Sequence, residues 1–114
     1  MLLSSPIELR YYLDEDGECP FEEWFNALSA AAAAKVAAAL VRLEQGNFSN
    51  VKGVGEGVLE YRIDWGPGLR VYFGRDGDVL VILLKGGSKR RQQRDVADAK
   101  ALWEDYKRRR TREH

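Results

Sequence analysis

Two arginines stand at the centre of what reads as a strand pair. The stretch LEYRIDWGPGLRVYF, residues 59–73, alternates apolar and polar positions on either side of Gly66-Pro67-Gly68, and Arg62 and Arg70 fall in the middle of its two arms. A guanidinium is a rigid, permanently charged fork of donors that matches phosphate oxygens. Tyr61 and Tyr72 offer hydroxyls and π faces beside the forks, and Lys52, Lys85, Lys89, Arg90 and Arg91 fall in segments read as loops or strand ends. Cations interleaved with aromatics suit a single-stranded nucleic acid, whose phosphates and base faces both need partners. A plainer reading fits the same residues: a wet sheet face with a cross-strand Asp64–Arg70 pair worth about a few tenths of a kcal/mol. Other chemistries are poorly supplied. Cys19 is the single cysteine and His114, the last residue, the single histidine, so neither a Cys–His nucleophile nor a four-ligand zinc site can be assembled. No cofactor motif is visible.

Positioning these groups requires a sheet, and the pattern supplies one. Ile7, Leu9, Tyr11 and Leu13 alternate with Glu8, Arg10 and Tyr12, a strand with one buried face. Pro20 suits a first helical residue, and Phe21, Trp24, Phe25 and Leu28 recur at helical spacing. Ser29 caps a second, alanine-rich helix with Val36, Leu40 and Leu43 as its stripe, stopped by Gly46. GNFSNVKGVGEG lacks phosphate-loop spacing and reads as a glycine-rich loop carrying Lys52. Strands follow over 58–65 and 69–75. Asp76-Gly77 signals a tight hairpin into DVLVILLK, apolar on both faces and therefore central. A last helix spans about 91–110, with Val96, Ala99, Trp103 and Tyr106 in a 3–4 repeat and 111–114 as a tail.

The order is β-α-α-β-β-β-α, a single α+β domain over 1–114: a small, mainly antiparallel sheet packed on two N-terminal helices, with a C-terminal helix. Strand alternation puts Leu59, Tyr61, Ile63 and Trp65 on one face and Glu60, Arg62 and Asp64 on the other. If residues 66–68 form a three-residue turn, Asp64 opposes Arg70 and Arg62 opposes Tyr72. The Asp76-Gly77 turn then places Val79, Val81, Leu83 and Lys85 on the face of Arg70.

The chain is neutral overall, but unevenly so. Residues 1–56 hold 9 acidic and 4 basic side chains, and residues 57–114 hold 9 acidic and 14 basic ones. The segment 85–112 alone carries 11 basic and 4 acidic residues, enough to take a polyanion through one half of the molecule. No apolar run approaches bilayer length and no export signal is visible, which with the lone cysteine predicts a cytoplasmic protein without membrane contact.

The strand pair VLEYRIDWGPGLRVYF, the following DVLVILLKGGSKRRQQRDVADAKAL and the preceding RLEQGNFSNVKGVGEGV together resemble the RelE/HigB-type toxins of bacterial toxin–antitoxin modules. The nearest likeness is to the phage-derived killer-protein branch of the RelE/ParE superfamily, over about residues 7–102. The resemblance implies an mRNA endoribonuclease that works on the ribosome and stops translation, without metal or cofactor. In it the ribose 2′-hydroxyl attacks the adjacent phosphorus and the 5′-oxygen leaves. By the same resemblance Arg62 contacts the scissile phosphate, Arg70 is the second motif arginine, Lys85 and Lys89 are the basic positions after the last strand with Arg90 close by, and Lys52 is the basic position of the preceding loop; Tyr72 and Arg91, read above as part of a basic and aromatic rim, complete with Lys52 and Arg90 the expected RNA-binding set. Without a placed histidine, proton transfer falls to Lys52, Lys85, Lys89, Glu60 or Tyr72. The implied partner is a helix-turn-helix antitoxin, through which alone operator DNA is bound. Two alternatives share the fold: a ParE-like inhibitor of DNA gyrase, and an inactive relative that only binds RNA or a partner.

Overall fold

Local signals start the two N-terminal helices. In the computed structural model, which describes residues 7–112, Cys19 Sγ accepts the Glu22 N–H at 3.4 Å and Pro20 occupies the first helical position, opening α1 (Pro20–Asn26). Ser29 Oγ accepts the Ala32 N–H at 3.2 Å and opens α2 (Ala30–Glu44), which ends before Gly46 in the left-handed conformation. The remaining elements are β1 (Glu8–Tyr11), β2 (Val51–Gly55), β3 (Val58–Ile63), β4 (Leu69–Asp76), β5 (Leu80–Ser88), a 3₁₀ turn (Lys89–Arg91) and α3 (Gln92–Arg112). The five strands form one sheet in the order β1-β5-β4-β3-β2, antiparallel except for the β1–β5 pair.

The expected α+β fold is present with one strand more than the pattern suggested. The glycine-rich stretch read as a loop contains β2, which pairs with the open edge of β3. Glycine is a poor strand former, so the pairing comes from the turn and not from propensity. Glu56 and Gly57 both take positive φ, 56° and 86°, as a two-residue hairpin requires. Gly57 is doubly constrained, since a β-carbon there would stand 2.8 Å from Trp103 Nε1.

Helices cover both faces of the sheet. On one, Phe21, Val36, Ala39 and Leu43 of α1 and α2 pack on Tyr61, Val71, Phe73, Val81 and Leu83. On the other, Ala99 and Trp103 of α3 pack on Tyr12, Val58, Tyr72, Ile82 and Leu84, flanked by Val96 and Tyr106. The surface expected to be wet is therefore largely closed by α3. Around β1, Ile7 is buried as expected, but Tyr11 and Leu13 are exposed and Tyr12 is buried instead. The cause is again α3: Tyr12 lies under that helix and donates to its Asp105 Oδ2 at 2.6 Å. The last helix ends two residues later than expected, so Thr111 and Arg112 continue it.

Two registers differ from expectation. The β3–β4 connection spans residues 64–68, closed by Trp65 N–H to Ile63 O and Gly68 N–H to Trp65 O, both 3.0 Å. Ile63 then opposes Leu69, Arg62 opposes Arg70 and Glu60 opposes Tyr72. Asp64 lies in the connection, exposed, and the proposed Asp64–Arg70 pairing is not made. Across β4–β5, Val81 and Leu83 belong to the face of Val71 and Phe73, not to that of Arg70. A register shift between Tyr72 and Phe73 then returns Lys85 opposite Tyr72.

Candidate functional site

Register lines up the polar residues. Lys52, Glu60, Tyr72 and Lys85 oppose one another across β2, β3, β4 and β5, and the next row runs Arg62, Arg70, Gly87. Neighbouring strands lie about 4.8 Å apart, so each row is a compact strip. The start of α3 crosses this strip. Gly87 lets it approach, because a β-carbon there would collide with the Asp95 carboxylate.

Glu60 is the hub. Its side chain is fully buried. Oε1 accepts from Arg62 Nε at 3.0 Å and lies 3.8 Å from Arg70 Nη1, while Oε2 accepts from the Tyr72 hydroxyl at 3.0 Å and from Gln92 Nε2 at 2.9 Å. Burial disfavours the charged carboxylate, but the bonds from Arg62, Tyr72 and Gln92 outweigh it and hold the Glu60 pKa below its ordinary value. Burial, and then the bond to Glu60, push the Tyr72 hydroxyl well above the ordinary phenol value. At neutral pH the hub is a charged carboxylate receiving a protonated phenol.

The sequence-derived residues fall into three groups. Arg70, at 7% side-chain exposure, and Tyr72, at 0%, are interior. The Arg70 Nε is buried with no hydrogen-bond partner among the described residues. Lys85 is held by Asp95 at 2.9 Å and Asp98 at 3.1 Å, its charge spent on α3. Arg62 is different: its Nε is given to Glu60, but the side chain is 47% exposed, and its two terminal nitrogens have no partner among the described residues. Lys52, Lys89, Arg90 and Arg91 are likewise exposed and unpartnered among the described residues. The Lys89 N–H donates to Gly68 O at 2.9 Å and pins the basic 3₁₀ turn beside the β3–β4 connection.

Sequence reasoning noted Glu60 without recognising its central place, and it missed Gln92 and Asp95. A strand carboxylate two residues before an arginine is a readable signal, because both side chains share a face. Nothing in the sequence marks Gln92, whose reach depends on where α3 lands.

Chemically, the arrangement is a half-exposed guanidinium fixed from behind, with the exposed Lys52 in the neighbouring row of the same face. It can grip a phosphate through two parallel donors. Among the described residues no cluster of three or more His, Cys, Asp or Glu side chains is placed to hold a metal, and no helix is long and apolar enough to cross a membrane.

Comparison with known proteins gives two findings. The family described as Phage derived protein Gp49-like (DUF891) matches residues 23–106. A Haemophilus influenzae protein described as "Uncharacterized protein" is 46% identical over 83 residues, which cover 72% of this chain and 84% of that protein.

Proposed function

The chain belongs to the Gp49-like phage-derived family, which is associated with addiction-module killer toxins, and from this premise we propose that it is a toxin that cleaves mRNA. The observation that carries the reading is the mounting of Arg62: Nε anchored on buried Glu60, terminal nitrogens open to solvent. In the proposed reaction the 2′-hydroxyl oxygen forms a bond to the adjacent phosphorus and the bond to the 5′-oxygen breaks. The products are a 2′,3′-cyclic phosphate and a 5′-hydroxyl. The 2′-hydroxyl gives up its proton and the 5′-oxygen gains one, while Arg62 meets the charge that builds on the phosphorane oxygens.

Arg70, Tyr72 and Gln92 act in this scheme as positioning residues, since they hold the carboxylate that holds Arg62. Lys85 fastens α3. Lys52, Lys89, Arg90 and Arg91 guide the flanking phosphates; Lys52 and Lys89, the two lysines of the set not engaged by carboxylates, are placed to give the departing 5′-oxygen its proton, and the proton of the 2′-hydroxyl passes to water. A killer toxin implies an antitoxin that restrains it. A helix-turn-helix antitoxin and ribosome-bound mRNA remain parts of the proposal.

The test is pulse expression of wild type and Arg62→Ala in a bacterium without antitoxin, with 5′ ends of cellular mRNA mapped. New cuts within coding regions that disappear in Arg62→Ala are expected. Growth arrest with intact mRNA and accumulating DNA breaks would overturn the reading in favour of a gyrase target.

A further inference from the structure

The last strand runs past the end of its outer neighbour. β1 pairs with β5 only as far as Tyr11–Leu83, and Tyr12 N–H donates to Leu83 O at 2.9 Å. Beyond that point Lys89 N–H donates to Gly68 O, and Leu69, Arg70 and Val71 stand opposite Ser88, Gly87 and Gly86. Backbone groups alternate in direction along a strand, so Gly87 turns its N–H and C=O toward β4 while Gly86 and Ser88 turn theirs away. Those outward groups have no partner among the described residues. Both ends of the described chain lie at the other end of the sheet: Glu8 stands opposite Leu80, and Arg110 pairs with Asp76, about 20 Å along β5 from Gly86.

Both helix layers close on this edge. Gly86 and Gly87 present opposite faces. A β-carbon on the first would stand 2.0 Å from the Trp24 ring of α1, and on the second 2.0 Å from Asp95 Oδ2 of α3. Between the helices is a cleft of about 470 Å³ whose lining includes Glu23, Trp24, Gly86, Ser88 and Arg91. Trp24 is half-buried, while Glu23 and Arg91 are exposed and without an ion-pair partner among the described residues. The cleft is thus a slot, with an indole on one side, the first turn of α3 on the other, and backbone donors and acceptors along its back. A flat ring needs room only in the plane of the sheet, whereas an added peptide strand raises side chains toward both helices. An unpaired nucleobase is such a ring, and its pairing edge sets donors and acceptors side by side.

We propose that this cleft holds one base of the RNA substrate, stacked on Trp24, with its pairing edge on the backbone groups of Gly86 and Ser88 and its phosphate on Arg91. Glu23 selects among bases, since a carboxylate accepts from the amino groups of adenine, cytosine and guanine and repels the carbonyl oxygens of uracil. The assignment rests on the proposed RNA substrate and deepens that reading. Gly87 shares a row with Arg62 two strands away, about 10 Å, so the base belongs to a nucleotide near the cut.

The test is amide NMR of the isotope-labelled full chain, titrated with the four ribonucleoside 5′-monophosphates and with ribose 5-phosphate, which lacks a base. The adenosine, cytidine and guanosine monophosphates are expected to shift the Gly86 and Ser88 amides and the Trp24 indole N–H. They are expected to bind about tenfold more tightly than ribose 5-phosphate, through stacking, with uridine monophosphate the weakest of the four. Arg91→Ala should weaken mononucleotides and ribose 5-phosphate alike, Trp24→Leu should remove the advantage of the base, and Glu23→Gln should bring uridine monophosphate level with the others. Ribose 5-phosphate that binds as tightly as the mononucleotides overturns the proposal, because only an anion is then recognised. So do mononucleotides that leave the three N–H signals unmoved, which returns the edge to an added peptide strand. A Trp24→Leu chain that keeps the tenfold advantage overturns it as well. The probes contain no internucleotide bond, so this outcome is separate from the mapped cuts. Cuts without these shifts overturn the cleft alone, and shifts without cuts overturn the ribonuclease reading alone.

Discussion

Glu60 is a buried charge whose stability depends on its neighbours. Taken alone, a carboxylate at this depth would protonate; with bonds from Arg62, Tyr72 and Gln92 it remains ionised. Glu60→Gln keeps the shape but inserts an amide donor among donors. Tyr72 and Gln92 must then turn to accept where they donated, and Arg62 and Arg70 both lose their counter-charge. We expect a loss of about 3 kcal/mol, read as a drop in the urea midpoint. The pH dependence has a definite sign. Because the folded Glu60 pKa lies below its ordinary 4.5, its contribution is full above that value and is lost as pH falls through the folded pKa. The gap between wild type and Glu60→Gln should therefore close in acid. A gap constant from neutral pH down to acid unfolding would remove Glu60 from its place as hub.

At the scale of elements, α3 decides which polar residues are interior, and tyrosines fasten its far half. Tyr12 donates to Asp105 at 2.6 Å and Tyr106 to Asp76 at 2.7 Å. Burial, then these bonds, push both hydroxyls up to about 12. A phenol raised in the folded state contributes fully below its ordinary value of 10 and ceases to contribute as pH passes through about 12. We expect Tyr12 and Tyr106 to stay un-ionised until the fold opens, so ultraviolet titration of tyrosinate should coincide with loss of helical circular dichroism. Tyr12→Phe should cost about 1 kcal/mol at neutral pH and move the alkaline transition downward. Ionisation of both tyrosines well before any loss of helix would show that these bonds do not hold α3. The same helix explains what the sequence left hidden. Periodicity located α1, α2, β3, β4 and α3, because each has an apolar stripe or alternation of its own, and an unbroken apolar run after a turn signal located β5. It could not locate β2, whose glycines carry no stripe, nor the five-residue connection that moved Arg70 from Asp64 to Glu60. Arg62, Lys52 and the basic turn were legible as surface cations. That Arg70 and Tyr72 are interior was not, since strand alternation says which face a residue takes but not whether a distant helix covers it.

At the scale of the molecule, the cations on β2, the basic turn and α3 divide in two. Along the later turns of α3 the cations have partners: Lys100 with Glu56, Lys107 with Glu104, Arg108 and Arg109 with Asp105, and Arg110 with Asp76. Lys52, Lys89, Arg90, Arg91 and Arg94 have none among the described residues. Charge that is already neutralised releases few counterions when a polyanion arrives; free charge releases them. If the chain takes RNA as proposed, the salt dependence of that binding distinguishes the two groups. For a single strand, log K falls with log salt by about 0.7 per phosphate neutralised. A short RNA with a 2′-deoxy nucleotide at the cut site, followed by fluorescence anisotropy over a series of salt concentrations, gives this slope without cleavage. Replacing Arg90 and Arg91 together by alanine should flatten it by about 1.4, and Arg62→Ala by about 0.7. Arg108→Ala, which removes a cation already paired with Asp105, should leave the slope nearly unchanged. If Arg108→Ala flattens the slope as much as the turn variants do, RNA is following the length of α3 and the candidate site is too narrowly drawn. If none of the substitutions changes it, the unpartnered cations serve another anionic surface, and an acidic segment of the antitoxin becomes the first partner to test against them.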